Sequence, residues 1–349
     1  MLYIIGLGLG DEEDITVKGL KAVQSSDKVF LEAYTAILSC GVDRLSAFYG
    51  KDVTVADREM VEQFSDQIID PAKEGSVSFL VVGDPFCATT HTDFLLRAAR
   101  DKGVEVKVIH NASIMNACAA CGLQLYNFGQ TITLCFWDEH TQVDSWYDKI
   151  RNNRDIGLHT LALLDIKVKE QSVINMAKGL PIYEPPRYMT VQQACDLMIM
   201  IEERRGDGVC GPDAMAVGLA RVGQHDQMIC AGTLAELREI DFGAPLHSLV
   251  LVGPHTHQLE EEVLDLYRVS PRQTLTEEEQ RVLRNKQRDE ELRRRAAERK
   301  SKKPAVGGKP RDPVAERRKQ LEQLRLQQAQ AAESESESDG EAVPMTGLF

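Results

Sequence analysis

The sequence predicts an α/β fold of two α/β domains, the first built on a parallel sheet and the second on a mixed sheet, with a ligand cleft between them and a charged extension after them. Three observations carry that prediction. Short apolar runs alternate with helical patterns over the first 110 residues, the mark of right-handed βαβ crossovers and a parallel sheet covered on both faces. Past Asn111 the strand-like runs come with fewer and less regular helices, and two of them are joined by a short loop. From Ser270 onward no aromatic residue occurs until Phe349. The expected boundaries are residues 1–111, 112–269 and 270–349.

In the first domain the expected strands are Leu2 to Ile5, Lys28 to Leu31, Asp52 to Val55, Val77 to Val82 and Val104 to Ile109, with helices over Arg58 to Lys73 and Thr90 to Lys102. Ligands of such sheets bind beyond the carboxyl ends of the strands, which directs attention to the loops Gly6-Leu7-Gly8-Leu9-Gly10 and Gly83-Asp84-Pro85. In the second domain the strand-like runs are Thr131 to Trp137, His159 to Asp165, Ala214 to Val222, Met228 to Ala231 and Ser248 to Val252, and the clearest helix is Val191 to Glu203. The short loop at Gly223 makes a hairpin, and so an antiparallel pair, of two of those runs. The extension is rich in Glu, Arg, Lys and Gln and has too few apolar residues to bury a core, so disorder or isolated helix is expected there. Ser334, Ser336 and Ser338 alternate with Glu, a pattern that suits acidophilic phosphorylation.

The net charge of −13 is unevenly spread. From Pro271 onward there are 18 Lys+Arg against 15 Asp+Glu, which leaves 23 against 39 in the body. A body that acidic repels nucleic acid backbones, so no nucleic acid is expected to be required, and it favours a basic protein or a cationic ligand, while the net-basic extension suits weak contacts with RNA or acidic surfaces. No apolar run approaches the roughly 20 residues a spanning helix needs, and the apolar start lacks a basic leader and runs into Asp11, Glu12, Glu13 and Asp14. It reads as a first strand. Eight cysteines scattered through a chain without a secretion signal point to reduced thiols and a cytoplasmic location. Cys118 and Cys121 form a C-x-x-C without a second pair or histidines at finger spacing, so helix packing is favoured over metal binding and no metal site is expected.

The N-terminal G-x-G-x-G invites a dinucleotide reading, reinforced by Glu32 about 20 residues on, where a ribose-binding acid would sit. The spacing argues against it, because the fingerprint is G-x-G-x-x-G and because four acids follow Gly10 where a pyrophosphate would be repelled. Those acids suit a ligand without phosphates and favour a cation. S-adenosylmethionine, with a sulfonium and an ammonium, meets that requirement, while a tight turn without any ligand remains the alternative. In Gly83-Asp84-Pro85 the proline stiffens the exit from a buried strand and fixes Asp84 at its mouth, where its carboxylate either holds a ligand or orients the loop.

The company of that turn is more specific: Leu80-Val81-Val82-Gly83-Asp84-Pro85-Phe86-Cys87-Ala88-Thr89-Thr90-His91, then His110-Asn111-Ala112-Ser113-Ile114-Met115-Asn116-Ala117, then His159-Thr160-Leu161-Ala162-Leu163-Leu164-Asp165-Ile166-Lys167. With Tyr183-Glu184-Pro185-Pro186-Arg187-Tyr188-Met189, Gly218-Leu219-Ala220-Arg221-Val222-Gly223 and Pro245-Leu246-His247-Ser248-Leu249, these strings resemble the diphthine synthases over about residues 1 to 268. That family is of the tetrapyrrole-methylase type. The glycine loop and the G-D-P turn are shared across the superfamily and identify only its fold.

The resemblance implies a folded S-adenosylmethionine held in the cleft by Leu9, Asp84, Cys87, Ser113, Ile114, Leu164, Val222 and His247. Relatives more often carry glycine or valine where Cys87 stands. It further implies a homodimer whose protein substrate is elongation factor 2, with a modified histidine as methyl acceptor. Eukaryote-type relatives add four methyl groups, ending in a methyl ester, and archaeal-type relatives stop at three; the strings here look eukaryote-like. No general base can be named. Asp165, Lys167, Lys169, Glu170, Glu184, Arg187 and Tyr188 are candidates for gripping the acceptor. The competing readings are a tetrapyrrole (precorrin-type) methylase of the same fold and a non-catalytic cofactor-binding protein that docks on translation factors.

Overall fold

The computed structural model describes residues 1–269 apart from positions 39, 88, 138–141, 172–174, 176, 177 and 181. The charged extension, with Ser334, Ser336 and Ser338, lies outside the described residues. The first sheet holds β1 (Leu2–Gly6), β2 (Lys28–Glu32), β3 (Val53–Ala56), β4 (Val77–Val81) and β5 (Val106–Ile109) in the order β3-β2-β4-β1-β5, every pair parallel. The apolar N-terminal run is thus a strand flanked on both sides, as its sequence predicts.

Side chains alternate across these strands. Leu2 and Ile4 of β1 and Val77, Phe79 and Val81 of β4 enter one buried cluster, where Phe79 stacks on Phe94 with ring centroids 4.7 Å apart. Ile5 and Leu80 enter another with Val23, Leu45 and Tyr49. Strands buried on both faces read as continuous apolar runs, which explains their sequences. Each fully buried Leu, Ile or Phe contributes roughly 1.5–3 kcal/mol to this double-sided core.

Two expected helices differ. The span from Arg58 to Lys73 is three short helices, Arg58–Glu62, Asp66–Ile69 and Pro71–Glu74. Pro71 has no N–H to offer a preceding turn, and the breaks let the neighbours Ile68 and Ile69 both reach full burial. The second helix, Thr89–Leu96, passes into a wider π turn over Arg97–Asp101.

The second sheet contains β6 (Ile132–Leu134), β7 (Thr160–Leu164), β10 (Met215–Ala220), β11 (Met228–Thr233) and β12 (His247–Leu251) in the order β11-β10-β12-β7-β6, with a separate ribbon of β8 (Ile166–Lys167) and β9 (Arg187–Tyr188). Only β6 and β7 run parallel; β10 pairs antiparallel with β11 and β12, and β12 with β7, so the sheet is mixed as expected. Helix Val191–Arg205, capped by Thr190 and Gln193, packs on one face. Cys118 and Cys121 lie in a 3₁₀ turn buried against the other face with Leu161, Val250 and Leu264. Among the described residues no helix is long and apolar enough to cross a membrane.

The antiparallel register has a functional consequence. Ala220, the last residue of β10, pairs with His247, the first of β12, and Leu163 near the end of β7 pairs with Ser248. Three chain segments distant in sequence therefore reach the same edge of the second sheet, and that edge faces the carboxyl ends of β1, β2 and β4.

Candidate active site

A cavity of about 370 Å³ lies where these edges meet. Leu9, Asp84, Cys87, Ser113, Ile114, Leu164, Val222 and His247 all line it, so the eight residues expected from the resemblance are brought together in one cleft. Tyr34 to Ile37, Arg58, His91, Asp165, Arg221 and Leu246 line it as well.

The loops after β1 and β4 are stitched to each other. Gly8 N–H donates to Gly83 O at 3.2 Å and Gly83 N–H to Gly8 O at 2.7 Å, and both residues have φ of +78°, a conformation glycine adopts without strain. Asp84 then fastens the next loop. Its Oδ1 accepts from Phe86 N–H at 2.9 Å, and its Oδ2 accepts from Asn111 N–H at 3.0 Å and lies 2.9 Å from His110 Nδ1. Burial pushes this carboxyl up, but the bonds from Phe86, Asn111 and His110 outweigh it and hold Asp84 below the usual carboxylate range. Asn111 Nδ2 donates onward to Gly6 O at 3.0 Å and Asp14 O at 2.9 Å, joining the loops after β1 and β5. Asp84 thus ties the loop after β4 to the loop after β5, and Asn111 extends the tie to the loop after β1, in keeping with the loop-orienting alternative left open by the sequence.

His247 is held from both sides. Nε2 lies 2.9 Å from Ala244 O and donates to it, and Nδ1 accepts from Val191 N–H at 3.3 Å, which fixes the neutral tautomer. Burial lowers its pKa below the ordinary 6.5, as it does for His91 and His159. A lowered imidazole stays neutral in the fold while the unfolded chain takes up its proton first. The contribution to stability is therefore complete above about pH 6.5 and is lost as pH falls below it towards the folded values. NMR titration should place all three ring midpoints below 6.5, and a midpoint for His247 at or above that value contradicts this arrangement.

The acids after Gly10 do not face the cleft. Glu12 is buried against Arg44 Nε at 2.5 Å, Asp14 Oδ2 accepts from Gly10 N–H at 2.7 Å, and Asp11 caps the turn at Glu13. Asp14 thus shapes the glycine loop while Asp11 and Glu12 serve local contacts, and none of residues 11–14 lines the cleft where a cation would meet them. Glu32 accepts from Tyr34 N–H, Thr35 N–H and the Thr35 hydroxyl, so it folds the loop after β2 and offers nothing to a ribose.

The acceptor-gripping candidates gather at one end. Ile166 and Lys167 pair with Tyr188 and Arg187, Glu170 binds both Lys167 and Arg187, and Lys169 reaches across to Asp57. Asp165 precedes this ribbon and lines the cleft, with Oδ2 accepting from Phe136 N–H at 2.9 Å. Sequence reasoning missed Tyr34, Arg58 and Arg221. Arg221 donates to Phe242 O, Ala244 O and Asp226 O, pinning the hairpin to the loop before β12; its signal was the string G-L-A-R-V-G. The signal for Tyr34 and Arg58 was only that their loops also leave strand ends.

Fold and cleft define the class. Residues 1–238 match the family model of the Tetrapyrrole (Corrin/Porphyrin) Methylases. The chain is 58% identical over 260 residues to a diphthine methyl ester synthase of Aspergillus fumigatus, covering 74% of this chain and 91% of that protein. It is 55% identical over 265 residues to one of Saccharomyces cerevisiae, covering 76% and 89%. The crystal structure of an inferred diphthine synthase from Entamoeba histolytica superposes with a TM-score of 0.69 at 50% identity, covering 78% of this chain and 99% of that one. The chain belongs to the tetrapyrrole methylase family and, within it, to the diphthine methyl ester synthases, and it is a methyltransferase.

Proposed function

We propose that the chain transfers methyl groups from S-adenosylmethionine to the modified histidine of elongation factor 2, four in succession, ending in a methyl ester. The observation that carries this reading is the convergence of Leu9, Asp84, Cys87, Ser113, Ile114, Leu164, Val222 and His247 on one cleft in a chain of this family. The lining suits the donor. Leu9, Val82, Ile114, Leu164 and Val222 offer apolar walls to an adenine and a thioether chain. Among the described lining residues the cations are Arg58 and Arg221, and Arg221 is held by carbonyls and by Asp226 2.7 Å away, so the cleft has no cluster of cations for a pyrophosphate.

When bound, the donor supplies a methyl carbon on a sulfonium, with a neutral thioether as its leaving group. The chain then contributes chiefly by holding the reactants in line, which is worth roughly 7–11 kcal/mol in well-aligned systems. An acceptor carboxylate is already ionised at neutral pH, whereas an amine with a pKa near about 8 must first release its proton. The acidic body, with 39 acids against 23 bases through residue 270, favours a basic protein partner. A homodimer working in the cytoplasm, each chain divided near residue 111 into two α/β halves, completes the reading.

The test is mass spectrometry of elongation factor 2 carrying the unmethylated intermediate, incubated with this protein and labelled donor. A gain of four methyl groups is expected. A gain of three refutes the ester, and transfer to a tetrapyrrole precursor in place of the protein refutes the substrate.

A further inference from the structure

The cleft continues beyond the eight motif residues. These sit at the ends of β1, β4, β5, β7 and β10 and at the start of β12, whereas Tyr34 to Ile37 follow β2 and Arg58 follows β3, on the far side of the first sheet. Four charged side chains line the cavity among the described residues: Arg58, Asp84, Asp165 and Arg221. Asp84 and Arg221 are engaged in holding the walls. The other two are opposite in sign: Arg58 lies near Glu62, and Asp165 has its Oδ2 on Phe136 N–H and 3.7 Å from Lys167 Nζ. The Lys169–Asp57 ion pair draws their elements together, since Asp57 precedes Arg58 and Lys169 follows Asp165 by four positions.

Arg58 stands at the open mouth with its side chain 63% exposed, its guanidinium 5.3 Å from the centre of the Tyr34 ring and its Nε 3.7 Å from Glu62. Tyr34 beneath it lines the cleft and is 5% exposed, and its buried hydroxyl has no hydrogen-bond partner among the described residues. Burial, with the charges of Glu32 and Glu62, pushes the phenol well above its ordinary value, so it remains an O–H donor at every working pH. A buried hydroxyl without a partner is a standing cost in the fold, and a ligand that accepts from it removes that cost.

We propose that Arg58 and Tyr34 hold the carboxylate of the methyl acceptor and that Asp165 holds its amine, so that this end of the cleft selects a protein side chain bearing both groups. The inference rests on the methyl-transfer reading and adds the acceptor's binding site to it. The donor also carries an amine and a carboxylate, but Arg58 is solvent-exposed and lies on the β2–β3 side of the sheet, away from the β1 and β5 loops of the motif residues. A protein-borne side chain has to enter from such a mouth.

The experiment uses the full chain with Tyr34→Phe, Arg58→Gln and Arg58→Lys. Two quantities are read: the KM for the elongation factor 2 intermediate, and the affinity for S-adenosylhomocysteine by calorimetry. Loss of a hydrogen bond to a charged group predicts an acceptor KM raised about tenfold or more in Tyr34→Phe and Arg58→Gln, partly recovered in Arg58→Lys. Affinity for the donor product is expected to be unchanged, and Tyr34→Phe should keep or raise Tm because it removes only an unpartnered hydroxyl. Donor-product affinity falling in step with acceptor KM assigns these groups to the donor and overturns the inference. Wild-type turnover with unchanged KM in the variants overturns it alone, whereas absence of turnover by the wild-type chain overturns the methyl-transfer reading and this inference with it.

Discussion

Asp84→Ala removes detectable binding of S-adenosylmethionine in a calorimetric titration. The carboxylate accepts from Phe86 N–H and Asn111 N–H and sits against His110, so truncation leaves the partly buried Asn111 N–H without its acceptor and turns the exposed Phe86 N–H to solvent. The buried donor costs about 1–3 kcal/mol, and with the lost bonds to Phe86 and His110 this is enough to release the loop after β4 from the loop after β5. Those loops carry Cys87, Ser113 and Ile114, the other three motif residues that the first sheet brings to the cleft besides Leu9 and Asp84 itself. An affinity loss on the order of 100-fold or more is expected. Asp84→Asn, which keeps one carbonyl acceptor, should retain part of it. Unchanged affinity in Asp84→Ala removes this residue from the site.

Gly6→Ala is expected to have the next largest effect. A Cβ at this position would stand 2.6 Å from Gly83 O and 2.8 Å from Asn111 Cβ, and neither neighbour is the free end of a flexible side chain. The strand ends of β1 and β4 must separate to admit it, which breaks the paired bonds between Gly8 and Gly83. Overpacking of this kind costs about 1–3 kcal/mol, occasionally more, a drop in Tm of several degrees for a chain of this size. Donor binding should fall with it, because Leu9 and Asp84 lose their common support. Gly41→Ala is the matched control, since nothing lies within 4 Å of its new Cβ and no change is expected. Wild-type Tm and affinity in Gly6→Ala contradict the stitched-loop account.

Much of this architecture was legible in the chain because the relevant signals were local. Runs such as Val77–Val81 are apolar on both faces, which only a doubly covered parallel strand requires, and Gly223 between two apolar runs required a hairpin. The cleft residues were legible through motif strings, which placed all eight on one cavity. What escaped depended on partners distant in sequence. Glu12 was counted as part of an attractive acidic cluster because its ion pair with Arg44, 32 positions away, has no local trace. Tyr34 follows β2 without a glycine signal, and its place in the cleft comes from Glu32 drawing in the N–H groups of the same loop. The break in the expected helix from Arg58 to Lys73 carried one visible cue, Pro71; the other cause, burial of both Ile68 and Ile69, belongs to the tertiary structure.

The central claim is that a single cleft between the two sheets clasps the methyl donor. A crystal structure of the protein with S-adenosylhomocysteine tests it most directly. The account predicts the ligand against Leu9, Asp84, Ser113, Ile114, Leu164, Val222 and His247, with its sulfur turned towards the Arg58–Asp165 end. Density for the ligand anywhere else on the chain, with that cleft closed or filled by side chains, contradicts it.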